Sequence, residues 1–243
     1  MPVIALQGVR GGVGTTSLTA AFSWALSTLG EKALAVDFSS DNLLRMHFNM
    51  AADTPRGWLR ASLDGQPWQQ SGLRYAPDLD FIPFGRVSDD EQMAFIRQPL
   101  DHVEAWMAQL AVLRKEYPWI LLDVPAGDTP WARALLSLAD QVLSVVVPEA
   151  NCHIRLHQQR FVPGTLHLIN LFSPVSRAQQ DLHQLWLNSL NNLVPVAIHR
   201  DEAMTEALMS KQPLGEYRPL SLAAEGVMTF ANWAIINLRG KPA

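Results

Sequence analysis

Residues 10 to 17 read Arg10-Gly11-Gly12-Val13-Gly14-Thr15-Thr16-Ser17. An apolar run, Val3-Ile4-Ala5-Leu6, precedes them, and a helix-length run, Leu18 to Leu29, follows. Strand, glycine loop and helix in that order turn backbone N–H groups into a concavity that holds phosphate oxygens. Glycine suits the loop because a side chain there blocks the phosphate's approach. The usual phosphate-loop pattern, G-x-x-x-x-G-K-[ST], fails at two positions. Val9 stands where the first glycine belongs, and Thr15 where the lysine belongs. Thr16 keeps the hydroxyl suited to magnesium, but the ammonium that would meet the β- and γ-phosphates is gone. Nucleotide binding is expected; fast hydrolysis does not follow from it.

Outward from the loop, two more segments share one form. Leu34-Ala35-Val36-Asp37 and Ile120-Leu121-Leu122-Asp123 are apolar runs that end in a carboxylate. An acid at the carboxyl end of a strand beside a phosphate loop can hold magnesium. Each alone reads more readily as a helix N-cap or loop residue. Two such acids beside one glycine loop favour the metal reading, with Thr16, Asp37 and Asp123 as the ligand set and Asp37 as the one candidate catalytic carboxylate. Later, Leu166-His167-Leu168-Ile169-Asn170 ends in an amide, which either reads a purine edge or forms a turn. Arg10 is either a bidentate phosphate contact or an exposed turn residue. Cys152, His153 and His157 lack the further ligand that a tetrahedral metal set needs. No G-x-S-x-G elbow is present.

Strand candidates at 2–7, 32–37, 79–83, 118–123, 141–147, 165–170 and 194–198 alternate with helix candidates at 15–29, 98–116, 130–138, 176–191, 201–210 and 219–238. Several strands are solidly apolar, as in a parallel sheet covered on both faces. The expected fold is therefore α/β, a doubly wound, mostly parallel sheet whose ligand lies beyond the carboxyl ends of its strands. The stretch 48–78, rich in Pro and Gly, reads as short helices and loops. Residues 240–243 read as a frayed tail. One domain over 1–243 suits the length.

Composition narrows the function. Lys and Arg total 19 against 23 Asp and Glu, a formal net charge of −4, which gives no support to nucleic-acid binding. Apolar residues make up 48%, enough for a large core. Eight tryptophans serve a core or an interface before a cofactor. Cys152 is the only cysteine, which fits a reducing compartment. The start lacks a signal-peptide layout, and the apolar runs fall short of the roughly 20 residues of a membrane span. A cytoplasmic protein that touches membrane only through partners is the expectation.

With these motifs in place, the chain resembles the deviant phosphate-loop ATPases of the ParA/MinD group. Their loop, K-G-G-V-G-K-[ST]-[ST], matches Arg10 to Ser17 in register. Val36-Asp37, Leu121-Leu122-Asp123-Val124-Pro125 and Asn170 match their later motifs. Within that group the longer strings Gln7 to Thr16, Asp41 to Arg45, Asn151 to Gln159 and Ile198 to Met204 resemble the BcsQ family, accessory proteins of bacterial cellulose secretion.

The resemblance implies ATP and Mg²⁺ as cofactors and a two-fold dimer with nucleotide at the interface. Backbone N–H groups of Gly11, Gly12, Val13, Gly14, Thr15 and Thr16, next to Ser17, would hold phosphates. Arg10 would reach the facing subunit's nucleotide, and Asn170 would contact adenine. It further implies small Bcs subunits such as BcsR and BcsE as partners, near the inner-membrane cellulose synthase complex. Two departures bear on turnover. Thr15 replaces the second lysine, and Ser39 stands where the group carries a water-orienting acid, with Asp41 nearby but out of register. Slow or absent hydrolysis is expected. The alternatives are an ATPase that cycles on membrane or nucleoid, a small-molecule kinase or ligase, and a scaffold that binds no nucleotide.

Overall fold

Alternate residues of the first strand feed opposite faces of the molecule. In β1 (Val3–Gly8), Ile4 and Leu6 enter one hydrophobic core while Val3 and Ala5 enter another. The computed structural model describes residues 2–239; the expectation of a frayed 240–243 tail lies outside the described residues. After β1 come α1 (Thr15–Thr28), β2 (Ala33–Asp37), α2 (Trp58–Leu63), β3 (Leu73–Ala76), β4 (Leu79–Ile82), α3 (Asp89–Arg97) and α4 (Val103–Leu113). Next are β5 (Trp119–Val124), α5 (Pro130–Ser137), β6 (Gln141–Val146), α6 (Ala150–Gln158), β7 (Leu166–Phe172) and α7 (Arg177–Ser189). The chain ends with β8 (Leu193–His199), α8 (Ala203–Met209), α9 (Leu214–Tyr217) and α10 (Leu222–Leu238).

The strands form one sheet in the order β3-β4-β2-β5-β1-β6-β7-β8. Every pairing is parallel except β3 with β4. β2 and β5 are buried along their whole length, as the unbroken apolar runs require of strands covered on both faces. The α/β, doubly wound, mostly parallel architecture is the one expected. α1 and α10 pack on one side around Phe22 and Phe230, whose rings lie 4.7 Å apart. The other side holds an aromatic cluster in which Phe38 meets Trp58, Trp106 and Trp131 at 4.7 to 5.8 Å. The tryptophans here are core.

Two local differences have physical causes. The stretch 48–78 contains α2 but also β3, a four-residue edge strand held in antiparallel register by an Arg74–Asp80 ion pair at 3.0 Å. So short and half-exposed a strand leaves little apolar pattern. The helix expected at 98–116 begins only at Val103, because Pro99 opens a 3₁₀ turn; upstream, α3 starts at a Ser88/Glu91 capping box. α6 follows β6 directly and carries His153 and His157 on one helix.

Candidate functional site

The loop after β1 is pinned from three sides. Val9 still donates its N–H to Val145 O at 3.1 Å, so pairing with β6 runs one residue into the loop. Its side chain is buried, and its carbonyl accepts from Gln159 Nε2 at 3.1 Å. Valine stands in the usual glycine position because it is a core residue there. From β7, Asn170 donates Nδ2 to Val13 O at 2.8 Å. Gly14, the residue before α1, has φ +84°, and a Cβ on it would lie 2.7 Å from that same Nδ2. Glycine is required twice over, for the backbone and for the approach of the amide.

What remains between the pins is open donor capacity. The N–H groups of Gly11 to Ser17 donate to no acceptor among the described residues. α1 has no side-chain cap, whereas α7 and α10 are capped by Ser176 and Ser221. A helix start with bare N–H groups favours an anion. Thr15 does not replace the missing ammonium: its Oγ1 packs at the loop base, 2.8 Å from where a Cβ on Gly8 would stand.

Two carboxylates lie to one side of this loop. Asp37 ends β2, Asp123 lies one residue before the end of β5, and the two are partners in the sheet register. Asp37 is fully buried and accepts from Ser39 N at 2.9 Å and Leu44 N at 3.2 Å. Asp123 is 1% exposed, lies close enough to the Thr16 hydroxyl for that group to favour its charged form, and leaves its Oδ2 without a partner. Burial, and then the neighbouring Asp123, hold the Asp37 carboxyl well above the usual range. Burial pushes Asp123 up to about 7, with the Thr16 hydroxyl pulling the other way. Exposed Asp41 adds its charge against both. Neither acid has a salt bridge among the described residues. The nearby Arg45 spends its guanidinium on the carbonyls of Asn42, Ala51, Ala52 and Thr54. Two buried acids, one orphaned oxygen and a hydroxyl make a donor set that suits a hard divalent cation.

The structure thus brings Gly11 to Ser17, Thr16, Asp37 and Asp123 to the carboxyl ends of the central strands β1, β2 and β5. Asn170 belongs to the same place, but as a buried brace: its donor is given to the loop, and its Oδ1 has no partner. Arg10 lies at the rim, turned back on its own chain, with Nε 2.6 Å from Glu149 Oε1. The Glu149 hydrogen bond raises the guanidinium further above its ordinary value, and Arg10 in turn draws the Glu149 carboxyl down. Sequence reasoning missed Glu149, Gln159 and Gln7, which donates Nε2 to Pro125 O and Gly127 O at 3.0 Å each. Only proximity in the fold identifies them. It also missed that Trp58 Nε1, at 2.8 Å, holds the Asp37 carbonyl.

Comparison with known proteins identifies the fold and the family. The MinD septum site-determining protein of Pyrococcus horikoshii, solved with Mg-ADP, superposes with a TM-score of 0.74 at 20% identity, over 99% of each chain. MinD in the Aquifex aeolicus MinC:MinD complex gives 0.77 at 20% identity, covering 100% of this chain and 98% of that one. The fold is that of the ParA/MinD ATPases. The cellulose biosynthesis protein BcsQ of Salmonella typhi is 49% identical over 249 aligned residues, 99% of this chain and 96% of the relative. The family model for cellulose biosynthesis protein BcsQ matches residues 1–235, and the chain belongs to that family.

Proposed function

We propose that this protein is an ATP-binding, dimer-forming component of the bacterial cellulose synthase machinery that holds nucleotide far longer than it cleaves it. The observation that carries the reading is the juxtaposition of unengaged loop N–H groups with the Thr16–Asp123–Asp37 set, while Thr15 is folded into the loop base. In this reading the loop amides from Gly11 to Thr16 bind phosphate oxygens. Thr16, Asp37 and Asp123 hold Mg²⁺, directly or through water, and Asn170 keeps the loop in shape and bounds the base pocket. The bound cation would neutralise phosphate charge. The chain's own part is to preorganise donors and exclude water on the sheet side. With no lysine at Thr15 and no carboxylate at Ser39, transition-state charge goes unmet and turnover is slow.

Arg10 would leave Glu149 to reach the phosphates bound by the facing subunit of a homodimer, so nucleotide acts as glue for assembly. Residues 1–243 would act as one domain. The family name points to work with the cellulose synthase complex, with small Bcs subunits such as BcsR and BcsE as candidate partners and a cytoplasmic location at the inner membrane. No helix among the described residues is long and apolar enough to cross a membrane.

The second reading is a cycling ATPase, in which the exposed carboxylate of Asp41, two residues past Ser39, takes the water-orienting role. Phosphate release measured beside nucleotide retention on the purified protein separates the two. The glue reading expects stoichiometric bound ATP and turnover below about one per minute. Brisk release overturns it.

A further inference from the structure

A second cavity, of about 500 Å³, opens behind the phosphate loop, between α5 and the chain that follows α6. Its floor is the sheet. Gln7 and Ser144 are register partners on β1 and β6, and both line it. Ser144 is 2% exposed, and its Oγ has no hydrogen-bond partner among the described residues. An unpartnered buried hydroxyl carries a free-energy cost that a ligand can remove. Leu136, Phe161 and half-exposed Val162 form an apolar patch on the side walls, beside the polar Gln158 and Gln159.

The rim is cationic. Arg133 pairs with Asp128 at 3.1 Å, an exposed and therefore weak pair. Arg160, exposed in a chain of net charge −4, has no ion-pair partner among the described residues. A hydroxyl floor, an apolar wall patch with one aromatic ring, and a free guanidinium at the mouth describe a site of ordinary ligand-pocket size. We infer that this cavity binds a small organic anion with a flat apolar body, its charge at Arg160 and its ring against Phe161. The cavity is distinct from the phosphate cradle, and the inference does not depend on nucleotide binding. It is nevertheless placed to influence that cradle. Gln159, on its wall, holds Val9 O, and Gln7, on its floor, holds Pro125 O and Gly127 O.

Titration calorimetry with naphthalene-1-sulfonate, with and without excess Mg–ATP, tests the site. The expected result is one saturable site in both conditions. Affinity should fall at least tenfold in Arg160→Glu and be abolished in Val162→Trp, which fills the mouth from an exposed position. Arg97→Glu, at the rim of the separate cavity beside Trp131, should bind as the wild type does. Binding that Mg–ATP abolishes, binding insensitive to both cavity variants, or no saturable heat at millimolar probe overturns the proposal. So does loss in Val162→Trp with Arg160→Glu unchanged, since the anion assignment then fails.

Discussion

The two ends of the sheet treat their most deeply set acids differently, apart from the part-exposed Glu149 already paired with Arg10. At the amino ends of the strands each one has a cation. Asp140 takes two hydrogen bonds from Arg114, at 2.6 and 2.9 Å, and one from Val3 N at 2.7 Å. Asp80 pairs with Arg74 and accepts from the Tyr117 hydroxyl, and Glu31 pairs with Arg239 at 2.7 Å and accepts from Trp119 Nε1. At the carboxyl ends, Asp37 and Asp123 are more deeply buried and have no such partner. Among the described residues, the fold supplies arginines to its structural acids and no ion pair to Asp37 and Asp123, which supports the cation site proposed above. The difference separates acids held by ion pairs from acids proposed to take a ligand.

Removing a ligand-awaiting group should produce the largest effect. Asp123→Asn or Thr16→Ala is expected to weaken Mg–ATP binding by about 100-fold or more, measured by calorimetry, with the fold intact by circular dichroism. Asp140→Asn should leave nucleotide affinity unchanged.

Stability in the absence of metal should show the comparison reversed in sign. Asp37 and Asp123 titrate higher in the folded than in the unfolded chain, where a carboxyl titrates near 3.9. The folded state then binds more protons between the two values. Stability is highest below about 4 for these groups and is lost as pH rises through about 7. Metal-free Asp123→Asn should therefore be more stable than wild type at pH 8, by roughly 2 kcal/mol, and its advantage should shrink toward pH 4. Asp140→Asn should be less stable by roughly 2 kcal/mol at pH 8. Urea unfolding at both pH values reads both.

Smaller effects sharpen the account of the loop. Asn170→Ala leaves Val13 O without its partner and should cost about 1 to 2 kcal/mol of stability, along with nucleotide affinity. Arg10→Ala removes only a part-exposed pair and should change monomer stability by less than about 0.5 kcal/mol. It should nevertheless abolish any Mg–ATP-dependent dimer seen by sedimentation.

Much of this contrast was legible in the sequence. The unbroken apolar runs of β2 and β5, each carrying its acid at or near the carboxyl end, located Asp37 and Asp123, and the glycine spacing located the loop. Those signals are local, so one sequence displays them. The pairing of Arg114 with Asp140, the Arg10–Glu149 contact and the Gln159 brace join residues from 26 to 150 positions apart. Such pairs leave no periodicity. Asn170 was found as a site residue, yet its bond to Val13 O depends on how β7 lies beside the loop. β3 was missed because an edge strand of four residues, with Arg74 outside, buries too little to leave a pattern.

A phosphate cradle without its lysine, beside two buried acids that have no ion pair among the described residues, is proposed to bind ATP through a divalent metal. Calorimetric titration of ATP into the purified, nucleotide-stripped protein, with and without Mg²⁺, tests it most directly. Saturable binding is expected with Mg²⁺, and at least tenfold weaker binding without it. Absence of binding at millimolar Mg–ATP, or equal affinity in the presence of chelator, would contradict it.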